Sequence, residues 1–228
     1  MKGYGSFCPI AKATEILAER WTLLVLRDLL MGSRHFNDLR RGMPQMSPTL
    51  LSKRLKSLEE ADIIVRRPGS DGHGWEYHPT AACQELRPMI EAIGHWGQRW
   101  VRSKLTRDEL NPGMLMWYIH RHFVKDRLPP QRIVIYIEIT DVKRMKRWWL
   151  VVEKPEVDLC LKDPGHEIDI SLVTDLLSLT RIYMGDLSLN SARSTGKIKI
   201  HGPSALTRSM TNWFARSRFA KDNPLSPT

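Results

Sequence analysis

Cysteine is scarce in this chain of 228 residues, where only Cys8, Cys83 and Cys160 occur, far apart in the sequence. Three widely spaced thiols form neither a disulfide framework nor the close spacing of a zinc site, which favours a reducing compartment. No apolar run approaches the roughly 18 residues that span a membrane, and the N-terminus lacks the apolar region of a signal peptide. We therefore expect a soluble, cytoplasmic protein that binds no metal, no cofactor and no membrane.

The patterns of common catalytic sites are also missing. The sequence contains no recognisable arrangement of Ser, His and Asp and no glycine-rich loop for phosphate. His120 and His122 stand two residues apart, so on a helix they would point in different directions, which disfavours a shared metal ion. These absences predict that the protein is not an enzyme.

Basic residues, in contrast, are in excess. The 35 Lys and Arg against 25 Asp and Glu give a formal charge of +10, which favours polyanionic partners. Part of this excess lies outside the first hundred residues, so charge alone does not locate a binding surface. The length favours two domains. We predict a first domain over 1–104 and, after a polar linker, a second domain over 111–222.

Residues 33–78 carry the strongest pattern in the sequence. A short helix containing Phe36 and Leu39 precedes a turn, a basic amphipathic helix, a strand, a glycine-containing loop and a returning strand. A helix fits the major groove of duplex DNA, and a basic hairpin can straddle the neighbouring backbone. This order predicts a winged helix-turn-helix.

The basic helix of this segment has a clear start and a clear buried face. Ser47 is a good N-cap, and Pro48 suits the first helical position. Leu51, Leu55 and Leu58 form one apolar stripe. The opposite positions are expected to face DNA, beginning with Pro48.

We predict two kinds of DNA contact. Base edges would be read by Thr49, Ser52 and Lys53, and phosphates would be held by Arg34, His35, Arg54, Lys56, Arg66 and Arg67. The alternative is an ordinary surface helix whose cations are only solvated.

A long helix is predicted over residues 80–102, after a first helix over 9–19 and an apolar core helix over 21–31. Its apolar stripe exceeds what a core of about 100 residues needs, and a two-fold contact would use it well. We therefore predict a homodimer sealed by the first helix and by Met89, Ile93, Trp96 and Trp100. Alternatively, the tryptophans pack on the second domain.

The second half alternates between strand and helix patterns. Period-two alternation predicts strands over 133–139, 157–161, 167–170 and 197–201, and the apolar run over 148–152 predicts a buried strand. Helices are predicted over 112–125, from Ser171 onward, and after Gly202-Pro203. The fold class is therefore α+β, with a mixed, mostly antiparallel sheet covered by helices.

The first hundred residues resemble the HxlR-type winged-helix transcriptional regulators of bacteria. The likeness is carried by the segments 8–10, 20–29, 34–39, 51–55 and 77–80, and it ends at Trp96. The family usually has glycine where Ala61 and Cys83 stand; the change at Ala61 is expected to affect the end of the helix. The resemblance implies a homodimer, joined through its first and last helices, that regulates transcription at an inverted repeat in DNA.

It also implies a thiol sensor in the region of Cys8. Cys8 precedes the first helix, whose positive N-terminus favours the thiolate and therefore oxidation. The alternative is a small buried apolar residue at the dimer contact.

The last 60 residues resemble the sterol-carrier-protein-like fold, on the segments 171–177, 184–187 and 196–202. That fold implies an apolar small-molecule effector between the sheet and the helices, with the candidate lining Leu176, Leu179, Met210 and Phe214. The alternative is a filled core that braces the dimer. Together, the two halves predict a dimeric, sequence-specific DNA-binding regulator controlled by a ligand or by thiol oxidation. The rival function is a lipid carrier whose basic N-terminal domain is a non-specific tether.

Overall fold

The computed structural model of the protein describes residues 3–70, 72–101 and 106–220, with the backbone alone at Arg107. Contacts along the chain divide it into two compact units, Met1–Gly94 and His95–Thr228, and each has a hydrophobic core. Parts of the predicted linker, and the end of the predicted second domain, lie outside the described residues. No helix of the described part is long and apolar enough to cross a membrane.

The N-terminal unit is a winged helix-turn-helix, as predicted. Its first elements are α1 (Pro9–Leu17), α2 (Thr22–Leu30), α3 (Phe36–Gly42), α4 (Pro48–Glu60), β1 (Ile64–Pro68) and β2 (Trp75–Pro79). Because Val25, Leu26 and Leu29 of α2 are fully buried, this helix forms the centre of the core. The strands β1 and β2 pair antiparallel and form the wing.

The predicted helix over 80–102 is interrupted. The structure has α5 (Ala81–Glu85), α6 (Arg87–Trp96) and a π-helical turn, Gly97–Val101. Pro88 explains the first break, because proline has no N–H to donate to Gln84 and its ring crowds that carbonyl. A single continuous helix was therefore a wrong prediction, although Thr80 caps α5 as expected, its Oγ1 accepting from the N–H of Cys83 at 3.3 Å.

The end of α4 does not strain Ala61. Ala61 has an ordinary φ of −94°, and the next residue, Asp62, takes the left-handed conformation with φ of 55°. Aspartate tolerates this region better than most residues. The turn is therefore made by Asp62, and Ala61 is not the position that needs glycine.

The C-terminal unit is built on a five-stranded sheet of order β5-β4-β3-β6-β7. The strands are β3 (Ile133–Ile139), β4 (Arg147–Glu153), β5 (Glu156–Cys160), β6 (Ile170–Thr174) and β7 (Ile198–His201). β3 and β6 are parallel, and the other three pairs are antiparallel, as the prediction of a mostly antiparallel sheet required. The helices of this unit are α7 (Pro112–Arg121), α8 (Leu176–Met184), α9 (Leu189–Ser194) and α10 (Ser204–Trp213).

The boundary between β6 and α8 differs from the predicted helix start at Ser171. Ser171 does not begin a helix but lies within β6, where the flanking Ile170 and Leu172 are buried and β3 pairs alongside. The N-cap of α8 is Asp175, whose Oδ1 accepts from the N–H of Ser178 at 2.8 Å. The predicted strand over 167–170 was placed too early, and α9 was not predicted.

Candidate DNA-binding surface and effector cleft

The exposed face of α4 carries the predicted base readers. Ser47 caps the helix, its Oγ accepting from the N–H of Leu50 at 3.2 Å. Leu51, Leu55 and Leu58 are about 1% exposed and fix the helix to the core. The opposite face presents exposed side chains to solvent, namely Pro48, Thr49, Ser52, Lys53 and Lys56. Lys56 lies 3.7 Å from Glu60, but both side chains are so exposed that this pair is weak.

Arg54 does not belong to this surface. It is only 7% exposed, and its guanidinium forms an ion pair with Glu19. Position 54 lies three residues after Leu51 and four before Leu58, so it shares the buried face of the helix. The assignment of Arg54 as a phosphate contact is therefore corrected: it joins α4 to the segment that follows α1.

Arg34 supports the turn between α2 and α3. Its Nη1 donates to the carbonyls of Leu29 at 2.7 Å and Ser33 at 2.9 Å, which satisfies acceptors at the end of α2. Burial lowers the pKa of Arg34, and nearby Glu76 opposes this shift. The guanidinium is thus partly committed to the fold, and its contact with phosphate remains a prediction.

A buried carboxylate, missed by the sequence analysis, organises the wing. Glu76 Oε1 accepts from the N–H and the hydroxyl of Ser70, at 2.9 Å and 2.7 Å, and Oε2 lies 2.8 Å from His78 Nε2. These hydrogen bonds, led by the Ser70 N–H, lower the pKa of Glu76 to about 2. The only signal in the sequence is one acidic residue within a strand of otherwise neutral or basic residues.

The wing is also joined to the start of α3. The N–H of Tyr77 donates to the carbonyl of Arg34 at 2.8 Å, and His35 forms a β-bridge with Glu76. His35 Nε2 lies 3.9 Å from Glu76 Oε1. Wing and helix-turn-helix are therefore one hydrogen-bonded assembly, with His35 half-buried at the join.

The two wing arginines differ in their surroundings. Arg66 lies over the ring of Trp75, 4.6 Å from its centroid, and its Nε is 3.6 Å from Glu59 Oε1. Arg67 is exposed and stands opposite Glu76 in the hairpin register. Arg66 is thus held in place, while Arg67 extends into solvent.

Apolar side chains remain exposed on α6 and on the π-helical turn. Met89, Ile93, Trp96 and Trp100 are 36%, 46%, 59% and 70% exposed, whereas Leu86 and Ile90 pack on the core. No residue of α1 is buried, and Ile10 is largely exposed. Exposed apolar stripes of this kind mark interaction surfaces.

The predicted effector lining lies inside the core of the C-terminal unit. Leu176, Leu179, Met210 and Phe214 are all buried among other apolar side chains, and none lines the cleft found beside α10. That cleft, of about 940 Å³, lies beside α10. It is lined by Arg127, Leu128, Pro129, Pro130, Gln131, Asp169, Pro203, Ala205, Leu206, Ser209, Asn212 and Trp213. The four predicted residues therefore lie within the core and do not line this cleft.

The three thiols are free and lie in different environments. Cys8 is the N-cap residue of α1 and is half-buried, as is Cys160. Cys83 is fully buried, and burial raises its pKa to about 11, against the opposing effects of Arg87 and Arg34.

The two histidines of α7 and its C-cap have different neighbours. His122 Nδ1 lies 2.6 Å from the Tyr183 hydroxyl, while His120 packs against Trp117. Within the described residues, no three His, Cys, Asp or Glu side chains are grouped to hold a metal ion.

Two family models match the chain. The model for the HxlR-like helix-turn-helix matches residues 16–105, and that for the SCP-2 sterol transfer family matches residues 124–215.

The chain is also similar to individual regulators. It is 38% identical to an uncharacterised HTH-type transcriptional regulator of Mycobacterium bovis, over 40% of this chain and 58% of the relative's length. It is 34% identical to the uncharacterised regulator YvaP of Bacillus subtilis, over 41% of this chain and 89% of YvaP. Among solved structures, the reduced form of the regulator YodB from B. subtilis is 25% identical, over 42% and 95% of the two chains, with a TM-score of 0.37.

Proposed function

The chain belongs to the HxlR-like helix-turn-helix family of transcriptional regulators, and on this basis we propose that it is a dimeric regulator that binds a specific DNA sequence. The observation that carries the proposal is the division of α4 into two faces. One face is anchored by buried leucines, and the other presents short hydroxyls and lysines to solvent.

The side chains of the proposed DNA surface divide into base readers and phosphate contacts. Thr49, Ser52 and Lys53 lie in the first half of α4, where recognition helices contact base edges in the major groove. Lys56 and Arg67 are exposed cations suited to phosphates. Arg34, His35 and Arg66 complete the proposed phosphate contacts, each already held in position by the fold.

The proposed dimer rests on the exposed stripe of Met89, Ile93, Trp96 and Trp100, together with the unburied α1. A two-fold contact through these helices would present two copies of α4 to DNA. Their separation would match one turn of the duplex, about 34 Å, and the site would be an inverted repeat.

The test is a mobility-shift assay on the DNA upstream of the protein's own gene, with a scrambled duplex for comparison. Ser52→Ala should weaken binding to the cognate duplex by about 1–3 kcal/mol and leave the scrambled duplex unaffected. Ser57→Ala is the matched control, because Ser57 donates within α4 to the carbonyl of Lys53 at 3.1 Å. Equal losses on both duplexes would exclude Ser52 as a base reader.

We further propose that the C-terminal unit binds a small effector in the cleft beside α10. Its volume, its apolar Leu128 and Leu206 and its polar Arg127 and Asn212 fit the usual features of ligand sites, and the unit matches the SCP-2 family. An effector changes DNA affinity only through different affinities for the two states of the protein, with a coupling of about 1–3 kcal/mol.

Anilinonaphthalene sulfonate, whose fluorescence rises in apolar sites, is a suitable probe of the cleft. Ala205→Trp, which fills the cleft, should reduce probe binding, whereas Ser194→Trp on the exposed face of α9 should not. Unchanged binding in Ala205→Trp would exclude the cleft as the site.

The rival function, a lipid carrier with a basic N-terminal tether, has less support. Residues 1–94 hold 13 Lys and Arg against 11 Asp and Glu, so this unit is nearly balanced in charge. A non-specific tether needs a strong excess of cations, and this unit lacks one.

A further inference from the structure

Most of the positive charge lies in the C-terminal unit. Residues 95–228 hold 22 Lys and Arg against 14 Asp and Glu, although the recognition helix is in the other unit. A regulator whose DNA contacts came only from the winged helix would have no need of this excess.

The fold gathers many of these cations at one end of the sheet. The turn between β3 and β4 supplies three of them, and Arg147, the first residue of β4, is a fourth. The pairing of the strands places this turn at the same end of the sheet as the ends of β5 and β6 and the start of β7. The hydroxyl of Thr174, at the end of β6, donates to the carbonyl of Lys197 at 2.8 Å and fixes that residue at the same end. We call this group the basic end, and its members are Lys143, Arg144, Lys146, Arg147, Lys162 and Lys197.

Four carboxylates of the described residues lie near the basic end, and each accepts a hydrogen bond; Asp163, next to Lys162, accepts from the N–H of Gly165 at 2.8 Å. Asp141 Oδ1 accepts from the N–H of Leu176 at 2.9 Å, and Asp175 caps α8. Glu138 pairs with Lys146 at 3.0 Å and accepts from the Tyr136 hydroxyl at 2.9 Å. No ion pair of Lys143 or Arg144 is found in the described part of the chain.

The opposite end of the sheet is nearly balanced in charge. Glu153 and Glu156 flank the turn between β4 and β5, and Asp169 precedes β6. The cations Arg132 and Lys154 there are exposed, and Arg127 lines the same cleft as Asp169. The basic end therefore has a larger excess of cations than the opposite end of the sheet, although further cations of the unit lie elsewhere.

The turn that carries Lys143 and Arg144 is held in shape. Trp148 Nε1 donates to the carbonyl of Met145 at 2.7 Å, and the N–H of Ile139 donates to the carbonyl of Lys146 at 2.8 Å. Thr140 is tied to β6 through its N–H, which donates to the carbonyl of Thr174 at 2.9 Å. Cations on a fixed turn lose less conformational entropy when they bind a polyanion.

We propose that the basic end binds the phosphate backbone of duplex DNA without regard to sequence, as a second contact of the same chain. This inference rests on the proposed function, because two contacts of one chain with the same duplex would reinforce each other. An anionic membrane is the less suitable partner. The basic end is a turn with strand ends, without the amphipathic helix and exposed aromatic residues of interfacial anchors, although Met145 and Leu161 are exposed there.

The experiment compares the full-length protein with Lys143→Gln/Arg144→Gln in titrations of cognate and scrambled duplexes at several salt concentrations. The slope of log K against log salt reports the number of phosphates contacted, so it should become shallower by about 1–2 for both duplexes. The ratio of cognate to scrambled affinity should not change. The matched control, Arg132→Gln/Lys154→Gln, removes two charges at the opposite end and should keep the wild-type slope.

A second variant, Lys162→Gln/Lys197→Gln, tests the same end on different strands and should reproduce the effect. Unchanged slopes in both basic-end variants would overturn the proposal. Loss of binding to phosphatidylglycerol vesicles with unchanged DNA slopes would overturn it in favour of a membrane. If the wild type bound cognate and scrambled duplexes alike, the proposed sequence-specific function would fail. The salt slopes of the wild type and the basic-end variants on scrambled DNA would still test whether the basic end binds phosphates.

Discussion

Glu76 accepts two hydrogen bonds from Ser70, one from its N–H and one from its hydroxyl, and so closes the wing on itself. The two residues stand at opposite sides of the glycine-containing loop, between β1 and β2. One carboxylate thus fixes the loop and, through His78 and His35, the returning strand and the start of α3.

The wing should lose stability in acid. Because the pKa of Glu76 is about 2 in the folded protein and 4.5 without these interactions, its contribution to stability is complete above about pH 4.5. It is lost as the pH falls from there toward 2. Denaturant unfolding at a series of pH values should show a smaller pH dependence in Glu76→Gln over this window. Glu85→Gln, at an exposed position on α5, should behave like the wild type; identical curves for all three proteins would refute the prediction.

Cys8 should be the regulatory thiol. Cys83 is buried with a pKa of about 11, so alkylation monitored by mass spectrometry should modify it last. Mild peroxide should change the DNA affinity of the wild type and of Cys160→Ser, but not that of Cys8→Ser. If peroxide still changed the DNA affinity of Cys8→Ser, Cys8 would not be the sensing thiol.

The exposed stripe of α6 should hold the dimer together. Ile93→Asp/Trp96→Ala is expected to give a folded monomer in sedimentation experiments, with greatly weakened DNA binding, because a charge replaces an apolar contact. Leu161→Asp, at an exposed position just after β5, should remain a dimer. A wild type that sediments as a monomer at micromolar concentration would contradict this.

Arg54 should act on stability, and Lys53 on DNA binding. Arg54→Ala leaves Glu19 without its partner and should lower the free energy of unfolding by about 1–3 kcal/mol, less than for a fully enclosed pair because Glu19 is 29% exposed. Lys53→Ala should barely change stability but should weaken DNA binding. Urea unfolding and salt titrations measure the two effects; a reversed pattern would restore Arg54 to the DNA surface.

The parts of the fold that depend on local periodicity could be predicted from the sequence. The Leu51, Leu55 and Leu58 stripe and the alternation over Ile133–Ile139 each define a buried face by themselves, and the structure confirms both. Ser171 was misassigned because β6 is defined by its pairing with β3, more than 30 residues away.

The wrong predictions about individual side chains also arose because those side chains depend on tertiary contacts. Arg54 is amphipathic, and its direction depends on Glu19, which only the tertiary fold brings near. Leu176 and Met210 look alike in sequence whether they line a cavity or fill a core, so only packing distinguishes the two. The role of Glu76 in the wing follows from its contacts with Ser70, His78 and His35, which only the folded structure shows.

The hydrogen bond from Tyr77 to Arg34 couples the wing mechanically to the helix-turn-helix. The distance between the groove that α4 would enter and the backbone that the wing would meet is therefore set by the protein. A duplex whose groove width differs from this distance must deform to satisfy both contacts or give up one of them. Stiff and flexible sequences would then be distinguished at base pairs that no side chain touches.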